Sequence, residues 1–317
     1  MQQIADKPGF RKLGAGQVSQ LTVIDRRGGG RKVIYETAAL IEAPNWTPDG
    51  ASLIFNGGGG LFRVGSAGGV PELIDTGRVD AANNDHLLSP DGRTLYLSAA
   101  GHVYSVPITG GEPRQLSQDQ PPGRPLRFFL HGISPDGRQL VCVGIASLDF
   151  SGRVSLYTLP ATGGPHEELV RIEANVDGPE YSPDGRWLYF NSELHAQRAG
   201  HSQIFRLRCA GTGAAGTGPI EQVTADERVN WFPHLSPDGC WISYLSFPER
   251  TLGHPADRNV ILRVIDVRDL RDGGPARQPV DVVALVGGQG TLNVNSWAPD
   301  SERFAYVAYP ARHGSGV

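Results

Sequence analysis

Sulfur is scarce in this chain: its 317 residues include three cysteines and one methionine. Cys142, Cys209 and Cys240 are odd in number and form no CxxC spacing, so neither a disulfide framework nor a cysteine-based metal motif is indicated. Cys142 lies in LVCVG and Cys240 beside WISY, where a free thiol behaves as a small buried hydrophobe. Long apolar runs are also missing. No stretch approaches the roughly 18 residues of a membrane-spanning helix. The opening MQQIADKPGFRKLGAG has no apolar core of the kind a secretion signal needs. These absences lead to the expectation of a cytoplasmic protein without a membrane partner. Net charge is −4 with no long basic run, so the electrostatic footprint of a nucleic-acid binder is lacking.

Several catalytic signatures are absent as well. GGGG at 57–60, GGG at 28–30 and GTGAAGTG at 211–218 are glycine-rich, but no GKS or GKT follows and no strand-to-helix context surrounds them. They are expected to be turns or loops. There is no GxSxG for a nucleophile elbow and no nicotinamide or flavin fingerprint.

What the chain has in abundance is turn residues, 42 Gly and 24 Pro, and a repeat. TPDG occupies 47–50, SPDG begins at Ser89, Ser134, Ser182 and Ser236, and a degenerate APDS begins at Ala298. Units of about 40 to 60 residues suit four short strands and their turns. Within each unit a short strand enters the turn. Pro then presets φ, Asp bonds its own backbone, and Gly takes the positive φ that closes the bend. Alternating segments follow, such as RTLYLSA, RQLVCVG, RWLYFNS and CWISYLS, then a third and a fourth strand. After APDS only RFAYVAY remains, whereas QLTVIDRRGGGRKVIYE near the start forms an outer pair without inner partners. The strands at 18–36 are therefore expected to complete the last blade. The chain as a whole, 1–317, is expected to be one all-β domain: a six-bladed β-propeller of four-stranded antiparallel blades.

The pattern in APNWTPDGASLIF and DGPEYSPDGRWLYF resembles the repeats of TolB-type six-bladed propellers, over nearly the whole chain. NNDH before the second turn, FPH before the fifth and GGQGT before the sixth resemble stretches of stand-alone bacterial TolB-like propellers. The Tol–Pal member of this group carries an additional N-terminal α/β domain and a secretion signal, for which the sequence ahead of residue 18 leaves no room.

Propeller geometry places the residues that precede each SPDG, the inter-blade connections and the second-to-third-strand loops around one channel mouth, with SPDG at the other. The first mouth collects Asn83, Asn84, Asp85 and His86; His131; Asn175, Asp177 and Glu180; Asn230, Trp231 and His234; and Gln289, Asn293, Asn295 and Ser296. Long loops at 145–153, 192–203 and 247–259 add His195, Arg198, His201, Arg250, His254, Asp257 and Arg258.

Two readings of the histidines follow. His86, His131 and His234, with Gln289 or a carboxylate, offer imidazole and oxygen donors suited to a divalent transition metal: Mn, Zn, Fe or Ni. Alternatively, each imidazole hydrogen-bonds within the channel. Oligogalacturonate lyases are similar six-bladed propellers with a His/Gln-bound manganese near the axis, and that resemblance implies the general arrangement without the pectic substrate. Asp85, Asp177 and Glu180 are candidate acid–base groups. Arg250 and Arg258 beside His254 are candidates to clamp an anion, against simple pairing with Glu249 or Asp257. Trp46, Trp187, Trp241 and Trp297 are expected in the inter-blade core. The functional expectation is a small-molecule site at the mouth, with metal-assisted elimination, isomerisation or hydrolysis of a small polar or sugar-like anion. The alternative is a non-enzymatic propeller that binds a ligand or a protein partner.

Overall fold

A computed structural model describes residues 4, 7–147, 152–170, 172–209, 218–271 and 273–312. Its strands form six blades around a central channel, as the repeat requires. Five are four-stranded antiparallel sheets. The first runs Glu42–Trp46, Ser52–Gly57, Gly60–Gly65 and Glu72–Ile74, and the next four repeat the scheme. Their inner strands are Ala82–Leu88, Arg127–Ile133, Val176–Tyr181 and Val229–Leu235. The sixth blade is closed across the chain termini, because Ser19–Asp25 pairs with Arg303–Ala308 from Gln20↔Ala308 to Asp25↔Arg303. Its innermost segment, 291–298, is attached more loosely, through a Trp297↔Phe304 bridge and backbone bonds from Ala305 to Ser296 and from Val307 to Thr291.

Each turn is built as its sequence dictates. At Ser134 the hydroxyl donates to Asp136 Oδ1 at 2.6 Å and accepts from Gln139 N at 2.9 Å, while Gly137 adopts φ 72°. The same pattern recurs at Ser89, Ser182 and Ser236. The sixth turn departs from it. Ala298 has no hydroxyl, and Ser301 takes the positive φ (58°) that glycine takes elsewhere. Successive turns touch around the ring, since a Cβ on Gly92 would stand 3.2 Å from Pro48.

The apolar faces of neighbouring blades bury one another. Leu21, Val23, Leu53, Phe55, Ala305 and Val307 join blades six and one in a single cluster, and similar clusters fill the other interfaces. Each such large side chain contributes roughly 1.5–3 kcal/mol by leaving water. Trp46 and Trp297 are buried in these seams. Trp187 and Trp241 pack against the core clusters but are only half-buried, short of the expected core position, and Arg206 and Arg26 stack over their rings at 3.8 and 4.0 Å. One short helix, Arg268–Arg271, interrupts the fifth blade where no helix was expected. No helix among the described residues is long and apolar enough to cross a membrane. Most of the 211–218 glycine segment, and residues 148–151 of the third-blade loop, lie outside the described residues.

Candidate functional site

The inner strands do not run straight. All five of the four-stranded blades show a register shift in the inner strand, between Glu42 and Asn45, Ala82 and His86, Leu130 and Gly132, Asp177 and Glu180, and Trp231 and His234. In three of them a residue just before a proline turns to positive φ: Ala43 (54°), Gly178 (58°) and Phe232 (57°). A bulge rotates the side chains that follow it. Residues ahead of the bulge and residues behind it therefore face different parts of the channel.

Ahead of the bulges lies a cavity of about 310 Å³ at the expected mouth. It brings together Asp85, His131, Asp177, His254 and Gln289, five of the ten candidate residues, with Asn83, Asn84 and Asn293. His131 Nε2 stands 3.0 Å from Asp177 Oδ1, and its ring stacks on Phe232 at 6.0 Å. His254 Nδ1 lies 2.5 Å from Gln289 Oε1, and its Nε2 lies 3.6 Å from Asp177 Oδ2. Asn83 Nδ2 donates to Asp85 Oδ2 at 2.6 Å. Burial works against the His131 cation, but the charges of Asp85 and Asp177 outweigh it and raise its pKa to about 9. Burial lifts Asp85 to about 6 despite the opposing pull of His131. Burial also acts to raise Asp177, but its bond to His131 and the charges of His131 and His254 hold it below the usual carboxylate range.

Behind the bulges the other candidates form a polar plug across the channel. His234 sets Nδ1 against Glu180 Oε2 at 2.7 Å and Nε2 against the Leu292 carbonyl at 3.1 Å. Glu180 Oε1 accepts from Leu235 N and from Asn295 Nδ2, at 2.8 and 2.7 Å. Asn45 Nδ2 donates to the Asn295 carbonyl at 2.6 Å, so the network joins blades four, five, six and one.

This geometry bears on both readings of the histidines. His234 has an oxygen at each ring nitrogen and would have to abandon one to bind a metal. His86 is fully buried outside the lining of this cavity and lacks a hydrogen bond of normal geometry at either nitrogen, and burial depresses its pKa to about 4. Only His131 and Gln289 of the four expected ligands face the same cavity. Among the described residues no three His, Cys, Asp or Glu side chains are arranged to hold a metal ion. The donor set therefore does not fit a shared transition metal.

The expected arginine clamp does not form either. The Arg250 side chain is 83% exposed and pairs with Glu249, and Arg258 is exposed at the start of its strand; neither lines the cavity. The loop instead directs His254 inward, where Trp231 packs on it at 4.5 Å.

Sequence reasoning missed Phe129 and Phe232, which supply the cavity's apolar wall, and Arg11. Arg11 donates to the Gln289 carbonyl at 2.8 Å, to Glu42 Oε1 at 3.1 Å and to Asp257 Oδ1 at 3.2 Å, and lies over the Tyr309 ring. It pins the GGQGT loop whose Gln289 reaches the cavity. No local motif marks such a contact between positions 278 residues apart.

No family model matches the chain. It is 37% identical over 302 residues to an uncharacterised protein of Agrobacterium fabrum, spanning 93% of this chain and 94% of that protein. A solved structure assigned as a TolB from Agrobacterium tumefaciens superposes with a TM-score of 0.79 at 36% identity, over 93% of this chain and 99% of the other. TolB from Acinetobacter baumannii shares the fold at a TM-score of 0.58 and 16% identity, over 84% and 66% of the two chains. The repeat, the ring closed by its N-terminal strands and these relatives together show that the chain belongs to the TolB-like six-bladed β-propellers.

Proposed function

We propose that the cavity ahead of the bulges is a binding site for a small, uncharged, polyhydroxylated molecule, and that Asp85, His131 and Asp177 provide proton-transfer chemistry on it. One observation carries this reading: the buried His131 imidazole, 3.0 Å from Asp177, shares a 310 Å³ cavity with a second carboxylate, Asp85, and with side-chain amides. Near neutral pH the two carboxylates outnumber that imidazolium, so the lining repels an anion. This favours a neutral sugar-like ligand over the anionic one expected from sequence. Asn83, Asn84 and Asn293 supply donors and acceptors for hydroxyl groups, and Phe129 and Phe232 supply faces for the ring carbons.

Asp85, with a pKa of about 6, exchanges a proton readily near neutral pH and is the natural general base. Asp177 is committed to orienting His131. The imidazolium can then stabilise negative charge that develops on an oxygen in the cavity. No step is routed through a metal, because the imidazoles do not converge on one.

The test is a thermal-shift and calorimetric screen of neutral sugars and polyols against the native chain and Asp177→Asn. A binder whose affinity falls at least tenfold in the variant supports the reading. Equal binding to both proteins, or preferential binding of anions, overturns it.

A further inference from the structure

The opposite mouth has a different character. The six turn prolines, 48, 90, 135, 183, 237 and 299, converge on a cavity of about 440 Å³. Proline has no N–H, so this rim offers a ligand few backbone donors. Leu87, Leu88, Ile133 and Leu235 add aliphatic wall between the prolines and the floor. The floor is the outer side of the plug, with Glu180, Asn45 and Asn295.

Two features of that floor and rim specify the occupant. Glu180 Oε1 accepts two hydrogen bonds and Oε2 one, whereas a carboxylate has about four acceptor positions. Its side chain retains 10% exposure at the base of an otherwise apolar cavity. Asn45 Oδ1, also on the floor, has no hydrogen-bond partner. Glu180 therefore keeps acceptor capacity open toward the cavity for a donor. The surroundings repeat the sign: each PDG or PDS turn carries an aspartate (49, 91, 136, 184, 238 and 300) that lies outside the cavity lining and is bonded within its own turn, and with the four arginines just beyond these turns the region around the mouth is net acidic.

We propose that this second chamber binds an amphipathic amine, a small cation with an aryl or short alkyl body, its ammonium seated toward Glu180. The volume accommodates a drug-sized body but no folded partner. The two chambers share His131 in their linings, yet their ligands are opposite in kind: polar on one side, apolar with a cationic head on the other.

The probe is dansylcadaverine, whose fluorescence rises on leaving water, compared with its N-acetylated and therefore uncharged analogue. The full chain is expected to bind the amine at least tenfold more tightly than the acetylated compound. Glu180→Gln keeps the shape of the plug and should abolish that preference while leaving the acetylated compound unchanged. Ile133→Trp fills the cavity and should weaken both. Asn84→Ala, which lines only the other mouth, should alter neither, which separates this site from the polar one. Equal affinity of the two probes for the native chain overturns the proposal even if a variant fails to fold. Undiminished binding by folded Ile133→Trp overturns it as well.

Discussion

The buried imidazole of His131 should write itself into the stability of the whole chain as pH rises. Its folded pKa of about 9 lies above the ordinary histidine value of 6.5, so the folded state holds this proton more tightly than the unfolded chain does. The sign follows from proton linkage. The stabilisation is fully present below about pH 6.5, and it is lost as pH climbs through about 9. At about 1.4 kcal/mol per pKa unit, the shift amounts to about 3 kcal/mol lost across that window. Asp85 and His86 titrate lower and act in opposite senses there. Asp85, raised to about 6, loses its contribution as pH rises through 6, while His86, lowered to about 4, regains stability between about 4 and 6.5. The interval from 6.5 to 9 therefore belongs mainly to His131. Urea unfolding at half-unit pH steps, read by tryptophan fluorescence, should show the decline in the native chain and a flat profile in His131→Gln. Asp177→Asn removes one of the two charges that hold the proton and should shift the decline to lower pH. A flat native profile, or an unchanged slope in His131→Gln, would refute the charged cluster and with it the electrostatics assigned to the cavity.

Three further outcomes follow from particular contacts. His234→Leu strips Glu180 of its partner in the plug and should cost about 3–5 kcal/mol in urea unfolding; the Glu180→Leu, His234→Leu pair should cost less than the sum of the singles, and strict additivity would count against a coupled plug. Ser134→Ala removes the three bonds of a turn hydroxyl on a fully buried residue and should cost about 1–2 kcal/mol by the same measurement, with no effect on ligand binding. Arg250→Ala should change stability and ligand affinity by less than about 0.5 kcal/mol, whereas Arg11→Ala should weaken polyol binding by releasing the Gln289 loop; the reverse ranking in calorimetry would contradict the placement of both arginines.

The fold was legible because a propeller repeats its own constraints. Five turns with the same chemistry and a degenerate sixth, spaced for four strands, leave little freedom. The unmatched strands at the two ends could only meet each other, as Ser19–Asp25 and Arg303–Ala308 do. The mouth was legible in part for the same reason. Strand direction carried Asp85, His131 and Asp177 to one end, and a long loop returned His254 beside them. What the pattern could not convey is which way a side chain turns after a bulge. Glu180 lies three residues beyond Asp177 on the same short strand, yet the shift between them moves it from the polar cavity to the plug. His234 shares its fate for the same reason. The missed aromatic wall arises from that irregularity too, since Phe232 sits at the apex of a bulge with φ 57°, outside any period-two count. Arg11 escaped for another reason: its partners are brought close only when the ring closes.

That closure also dictates how the chain must come to be. The strand Ser19–Asp25 finds its partner about 280 residues later, at Arg303–Ala308. During synthesis Ser19–Asp25 must wait, unpaired along one edge, until residues 303–308 have emerged. Blades one to five can assemble as they appear, from contacts local in sequence, while the sixth is a late and long-range event. A chain ending short of residue 303 would form an open arc in which one edge of Ser19–Asp25 is left bare. Such an arc is predisposed to pair with a second unfinished copy, and the last turn of the sequence thus protects the first.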